Sequence, residues 1–304
     1  MHPQIHKTSS STTSFVSNTL GLDYELIDCG NQRKLERFGT NILNRPEIEA
    51  KWTPKLPQVE WEKADWYFYE KKGKKGEWRA NGSPQKSWNI NYQVEAVSLQ
   101  FKLELTAFKH IGLFPEQAAN WHYIQENLRK IKGDKKVLNL FAYTGAASLV
   151  CAASGAKVTN IDSVKQVLNW GRENAKINQI DNIRWILEDA RKYVKKAVRR
   201  GEKYHGIILD PPAFGYGAKK ERWKLEEDLL PLLQDLATIM YEQSSFLILN
   251  TYSPKISLHE LEKMVQSVKG FPSGFELSQL GLRSSKEVAL SLGNLVRFQK
   301  LNFK

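Results

Sequence analysis

The sequence predicts an α/β protein, a doubly wound and mostly parallel sheet preceded by a smaller β-rich region. Three observations carry this expectation. From Pro115 onward, short apolar runs alternate with longer amphipathic stretches, the rhythm of a parallel sheet covered by helices on both faces. Two of these runs, ending near Phe141 and Leu209, pass directly into polar, sharply turning loops, and ligands of open α/β sheets bind outside such strand ends. Before Leu105 the chain is instead rich in turn residues and aromatics, with Trp52, Trp61, Trp66, Trp78 and Trp88, which suits short strands.

Taken in order, residues 1–19 are rich in Ser and Thr, lack an apolar core and, up to Asn18, contain no arginine. They fit neither a secretory signal nor a transit peptide and are expected to be a disordered tail. Residues 20–105 form the expected β-rich accessory domain. A β-prone run at 65–69, a basic turn carrying Lys71, Lys72, Lys74 and Lys75, and a return at 77–79 read as a hairpin. Residues 87–92 and 97–105 alternate with period two, as half-buried strands do. In the expected main domain, 106–304, strands fall at 137–141, 157–161, 183–187, 206–209 and 246–250. Helices fall at 116–132, from Ala146, and at 163–178, 190–200 and 220–241, with Ser163 placed to cap the third of them. A final pair with strand character, near 274–280 and 289–299, would close the sheet.

The chain has 304 residues, and its 45 Lys and Arg against 33 Asp and Glu give a formal charge of +12, which favours an acidic partner, nucleic acid being the commonest. No apolar run approaches the ~20 residues needed to span a bilayer, so a membrane partner is not expected. Cys29 and Cys151 are the only cysteines, far apart and without metal-ligand spacing. Neither a disulfide framework nor a metal site is expected, and a cytoplasmic location fits.

The loop from Phe141 through Tyr143, Thr144 and Gly145 follows a strand and opens a helix, so its N–H groups can meet a polar ligand, and Gly145 permits the tight turn. A dinucleotide fold would place three spaced glycines there for a pyrophosphate; Tyr143 and Thr144 argue against it and for a ligand with an amino-acid end and a nucleoside end. Asp162 ends the next strand about 20 residues on, where doubly wound folds hold ribose hydroxyls. Asp189 ends the third and could accept from an adenine amino group. Capping the helix that follows is the alternative for Asp162, and for Asp189 it is an equal rival. The fourth strand ends in Asp210, Pro211, Pro212, Ala213 and Phe214. Two prolines stiffen the loop and leave its carbonyls as acceptors. Asp210 and those carbonyls could hold a substrate amino group, or bear on a cationic methyl donor, while Phe214 offers a face for a planar base.

In this order the signals resemble the class I S-adenosylmethionine-dependent methyltransferases, and within them the rRNA large-subunit group and its bacterial relatives. The resemblance covers residues 106–304. It rests on the run from Asn139 to Gly145, Asn160 to Ser163, Glu173, Asn174 and Asn178, Glu188 to Ala190, and Leu209 to Pro212, with the segment from Gly112 to Gln117 ahead of the first strand. It implies a Rossmann-like, seven-stranded sheet whose last strand is antiparallel. S-adenosylmethionine would lie across the first two strand ends and the substrate near Asp210. It further implies that Phe114, Gln117, Asn139, Ser163 and Ala190 belong to the cofactor site with the loop residues already named.

Methyl transfer is an in-line displacement that needs its two partners held at near-attack distance and water kept out. Methylating carbon 5 of a pyrimidine typically requires a cysteine thiolate, and neither cysteine lies in the Asp-Pro-Pro loop, so a nitrogen target is favoured. Three basic clusters are candidates for phosphate contacts: Lys71 to Lys75; Lys192, Lys195, Lys196, Arg199 and Arg200; and Lys219, Lys220, Arg222 and Lys224. The expected activity is thus methylation of a base in RNA, with rRNA favoured. The alternatives are a protein or small-molecule acceptor, or a non-catalytic RNA-binding protein of the same fold.

Overall fold

The computed structural model describes residues 14–71, 75–217, 220–253 and 255–300. The chain opens with β1 (Ser14–Val16) and then builds a sheet from β2 (Tyr24–Gly30), β3 (Arg33–Phe38), β4 (Asn41–Pro46), β5 (Trp66–Glu70) and β6 (Gly76–Ala80), with the short helix α1 (Gln58–Trp61) between β4 and β5. A two-stranded ribbon follows, β7 (Ser87–Val94) and β8 (Val97–Glu104). The hairpin and both period-two strands lie where the sequence pattern puts them. Residues 1–13 of the expected tail lie outside the described residues. Ser14–Val16, by contrast, is not tail but an edge strand parallel to a late strand of the main sheet.

A single 3₁₀ turn (Pro115–Gln117) leads into α2 (Ala118–Lys130). Strands and helices then alternate: β9 (Lys135–Leu140), α3 (Ala146–Ala153), β10 (Ala156–Asp162), α4 (Lys165–Ile177), β11 (Ile183–Leu187), α5 (Ala190–Arg199) and β12 (Gly206–Leu209). After a small hairpin, β13 (Phe214–Tyr216) and β14 (Arg222–Lys224), come α6 (Leu225–Ile239), β15 (Ser245–Thr251), α7 (Leu258–Ser267), β16 (Glu276–Arg283) and β17 (Ala289–Lys300). The main sheet has eight strands in the order β1-β16-β17-β15-β12-β9-β10-β11. The seven core strands appear with only β17 running against its neighbours, and β1 adds the eighth. It docks beside Gly281, where the β16–β17 register shifts; a Cβ there would meet the Phe15 ring at 2.8 Å. Phe15 therefore occupies space that a side chain at 281 would take.

Two expected helices start elsewhere. The one expected from Lys220 begins at Leu225, because Arg222–Lys224 pair with Phe214–Tyr216 and the Trp223 indole donates to the Pro212 carbonyl at 2.7 Å. The one expected from Ser163 begins at Lys165 without a side-chain cap. Helix α7 was not foreseen, although Ser257 and Glu260 form a reciprocal capping box at its start.

The N-terminal strands share one core with the main domain. Trp121 of α2 packs edge-on against Tyr92 at 5.1 Å and against Phe101 at 5.3 Å, and the Gln125 amide donates to the Tyr92 hydroxyl at 2.8 Å. On α4, Asn174 accepts from the Lys102 N–H at 2.9 Å, and Asn178 exchanges hydrogen bonds with the Gln100 backbone. No helix among the described residues is long and apolar enough to cross a membrane.

Candidate active site

The carboxyl ends of β9, β10 and β12 lie side by side, and their loops meet the segment that precedes α2. At the end of β9 the chain turns through Phe141 and Tyr143 at φ of 55° and 52°, and Gly145 at 76° caps α3. Left-handed backbone at two non-glycine residues is uncommon and needs support from its surroundings. Asp162 supplies part of that support, its Oδ2 accepting from the Tyr143 N–H and its Oδ1 from the Val164 N–H, each at 2.9 Å. One carboxylate thus ties two strand ends together. Gly145 is required twice, by its φ and because a Cβ there would lie 2.6 Å from the Trp185 ring. Thr144 Oγ1 donates to the Gly112 carbonyl at 2.7 Å, which draws the segment 112–117 over the loop.

A cleft results, lined by Phe114, Gln117, Asn139, Phe141, Tyr143, Thr144 and Asp210 among others. Seven of the residues singled out in the sequence therefore converge. Asn139 is held by Ser148, which in turn donates to Asn160 at 2.7 Å. Ser163 stands at the β10 end beside Asp162, and the turn it was expected to cap is held by Asp162 instead. Asp189 sits at the N-terminus of α5, where it accepts from the Lys192 N–H at 3.1 Å and pairs with Arg191, with Ala190 as the first helical residue. Its capping role is thus real, and Asp189 and Ala190 do not line the cleft.

The cleft carries a buried acid, Asp210, with Glu116 close behind it. Asp210 Oδ2 accepts from the Gln117 side-chain amide at 3.3 Å, while its Oδ1 is buried without a partner. The orientation of that amide is fixed by its neighbours. Gln117 Oε1 accepts from Asn120 at 2.6 Å, Arg297 holds Asn120 from behind, and Gln117 Nε2 also donates to the Tyr252 hydroxyl at 2.8 Å. Burial, and secondly the nearby Glu116, push the Asp210 carboxyl well above the usual carboxylate range. Burial raises Glu116 too, and raises Asp162 against the pull of the N–H groups of Val164, Tyr143 and Ser163. Glu116, Asn120, Asn250, Tyr252 and Arg297 were not singled out in the sequence. The signal available was polar residues at buried positions, such as Asn250 and Thr251 ending an otherwise apolar strand.

Pro211 is buried and Pro212 exposed, and neither they nor Phe214 line the cleft. Phe214 and Tyr216 stand out from β13, 53% and 64% exposed, with their rings 5.1 Å apart. Trp223 is not a free stacking face, since it is buried 4.8 Å from the Phe141 ring. Both thiols are buried; burial pushes Cys29 up to about 11 and Cys151 higher still, so neither is a ready nucleophile. Much of the second and third basic clusters is neutralised within the chain: Lys192 pairs with Glu221, Lys196 with Glu188, and both Arg222 and Lys224 with Glu227. Lys72, Lys74 and Lys219 lie outside the described residues.

A family model described as S-adenosylmethionine-dependent methyltransferase matches residues 67–268. The chain is 34% identical over 172 residues to the ribosomal RNA large subunit methyltransferase K/L of Pseudoalteromonas translucida (strain TAC 125), an alignment that covers 55% of this chain and 23% of the relative. It spans less than a quarter of the length of such relatives. A solved S-adenosylmethionine-dependent methyltransferase from Agrobacterium tumefaciens is similar over nearly its whole length, with a TM-score of 0.86 at 33% identity, covering 94% of this chain and 92% of that one. A methyltransferase structure from Streptococcus mutans shares the fold, with a TM-score of 0.68 at 18% identity over 91% of this chain and 75% of that one. The sheet order, the cleft at the strand ends and a family match over more than half of the sequence agree, and the chain belongs to the S-adenosylmethionine-dependent methyltransferases.

Proposed function

We propose that this protein methylates a nitrogen atom of a base in RNA, ribosomal RNA being favoured, and that it does so in the cytoplasm. One observation carries the reading: an acid with an unpartnered buried oxygen, Asp210, lies on the floor of a cleft also lined by the 141–145 loop. An orphaned carboxylate oxygen fits the amino group of a base or the positive charge of the donor. When bound, S-adenosylmethionine supplies an electrophilic methyl group on a cationic sulfur.

The remaining roles belong to the chain. The N-terminus of α3 behind Gly145, with Asn139, Thr144, Gln117 and the Phe114 ring, holds the amino-acid end of the cofactor. Asp162 and Ser163 take the ribose, whereas Asp189, which caps α5 outside the cleft, would have to give up its pair with Arg191 to reach the adenine. Asp210 accepts from the acceptor amino group, Pro211 and Pro212 keep its loop stiff, and Phe214 stacks on the base. Residues 106–304 carry this chemistry, and residues 20–105 are accessory to it. A nitrogen acceptor needs no covalent intermediate, in keeping with two thiols that burial keeps protonated.

Nucleoside mass spectrometry of rRNA and tRNA from cells with and without the protein tests the proposal. One N-methylated base should disappear from rRNA, and unchanged RNA would refute the reading. Under the rival of a protein or small-molecule acceptor, RNA binding is weak and lacks a steep salt dependence.

A further inference from the structure

We propose that the β5–β6 hairpin and the adjoining loop around Phe108 form a second contact for the RNA substrate, where unpaired nucleotides beside the target stack on Tyr69, Arg79 and Phe108 while Lys71 and Lys75 meet their phosphates. This inference rests on RNA being the substrate.

Among the described residues, the exposed large aromatic side chains fall into two pairs. Phe214 and Tyr216 are on β13, just after the Asp210 loop; Tyr69 is on the β5–β6 hairpin and Phe108 in the adjoining loop, 39% and 44% exposed. One half of the outer face of the N-terminal sheet is covered, with Leu35 packed under Trp61, Ala64 and Leu56. The β5–β6 half carries a string of planar groups instead. Arg33 lies 3.9 Å from the centre of the Tyr67 ring, Tyr67 lies 4.1 Å from Tyr69, and Arg79 lies 4.2 Å from Tyr69 with its side chain 62% exposed. Single-stranded RNA is read by stacking of bases on aromatic rings and on guanidinium planes, with cations along the backbone.

The charge suits that occupant. Lys71, Lys75 and Arg79 are exposed, and Lys71 and Arg79 share one carboxylate, that of Glu77. Glu70 is the other acid of the strand pair, and it is exposed. Surface pairs of this kind are weak and give way to phosphate.

The hairpin is also tied to the cleft. The Gly76 N–H donates to the Ala107 carbonyl and the Trp78 indole to the Thr106 carbonyl, each at 2.9 Å, which holds the loop carrying Phe108 against β6. Further along the same loop the His110 ring lies 5.3 Å from Phe114, and Phe114 lies 5.2 Å from Tyr143 in the cleft. Phe108 and Phe114 are six residues apart in the sequence, so at most about 20 Å of chain separates the two stacking places, a gap that a few nucleotides bridge.

The test uses the full chain and protein-free ribosomal RNA from cells lacking the protein. Tyr69→Ala with Phe108→Ala should weaken binding about 10- to 100-fold and raise KM, with kcat at saturating RNA unchanged. Tyr69→Phe with Phe108→Tyr should restore binding. Lys71→Ala with Lys75→Ala should flatten the slope of log Kd against log salt by about 1.4. All four side chains are exposed, so thermal melts should match the wild type. Wild-type affinity and salt slope in both alanine variants, with an RNA-binding wild type, would overturn this contact alone. A wild type that neither binds nor methylates RNA would overturn the substrate reading and this inference with it.

Discussion

Asp210 is the residue on which chemistry and stability pull in opposite directions. Its carboxyl is held well above the usual range by burial and by Glu116, so the folded state binds its proton more tightly than the unfolded chain does, where a carboxyl titrates near 4. Its contribution to stability is therefore complete below the unfolded value and is lost as pH rises through the folded one. Asp210→Asn removes that loss. Its melting temperature should exceed that of the wild type by a margin that grows from pH 4 to pH 8, and melts at both ends check it. Turnover should fall about 10- to 150-fold, the worth of one charge-assisted hydrogen bond, while cofactor affinity changes less. Asp162→Ala should do the reverse. It orphans the N–H groups of Tyr143 and Val164, so calorimetry should show S-adenosylmethionine bound at least 10-fold more weakly. Equal, near-wild-type behaviour of both variants would misplace the site. Asp210 was legible in the sequence because it ends an apolar run, and Asp162 because it ends the strand after the 141–145 loop, about 20 residues on. Asp189 was legible only as one of two readings, since a side chain's choice between a helix cap and a ligand depends on neighbours such as Arg191 that a single sequence does not place.

Elements were legible where a local period or a local stop signal decided them. The strands at 183–187 and 206–209 end where a polar residue interrupts an apolar run, and the bounds match those found. The 222–224 strand was missed because its pairing with Phe214–Tyr216 is a tertiary choice that overrides the helical pattern around it. Strand β1 was missed for a related reason. Three residues have no period, and what holds them is the space beside Gly281 and the ring of Phe15, far away in the sequence. This makes β1 a separable element. Phe15→Ala should lower the melting temperature by about 2–6 °C and leave cofactor binding at the opposite end of the sheet order unchanged. A melt combined with calorimetry decides it, and a loss of cofactor affinity would show that the edge strand is coupled to the site.

At the scale of the whole molecule, the composition change near Leu105 marks a boundary in sequence, whereas the packing ignores it. A single core cluster runs from Leu26 and Phe38 through Tyr92 and Phe101 to Trp121, Ile124 and Leu149. The N-terminal part also reaches the site electrostatically, since Lys34 draws the Glu116 carboxyl down against its burial, and Glu116 in turn bears on Asp210. Removing residues 1–105 would strip the cover from Trp121 and Ile124, which are almost wholly buried, and leave α2, the helix carrying Asn120 behind Gln117, without the strand face that Tyr92 and Phe101 supply. Exposing side chains of that size costs roughly 1.5–3 kcal/mol each. Several such losses are comparable with the ~5–15 kcal/mol by which whole domains are stable. The fragment 106–304 expressed alone should therefore fail to give a cooperative melt and should not bind S-adenosylmethionine, although it contains every residue assigned to the cofactor. A folded, cofactor-binding fragment would instead show that the accessory region is a true appendage, and that Lys34 and its neighbours do nothing for Asp210.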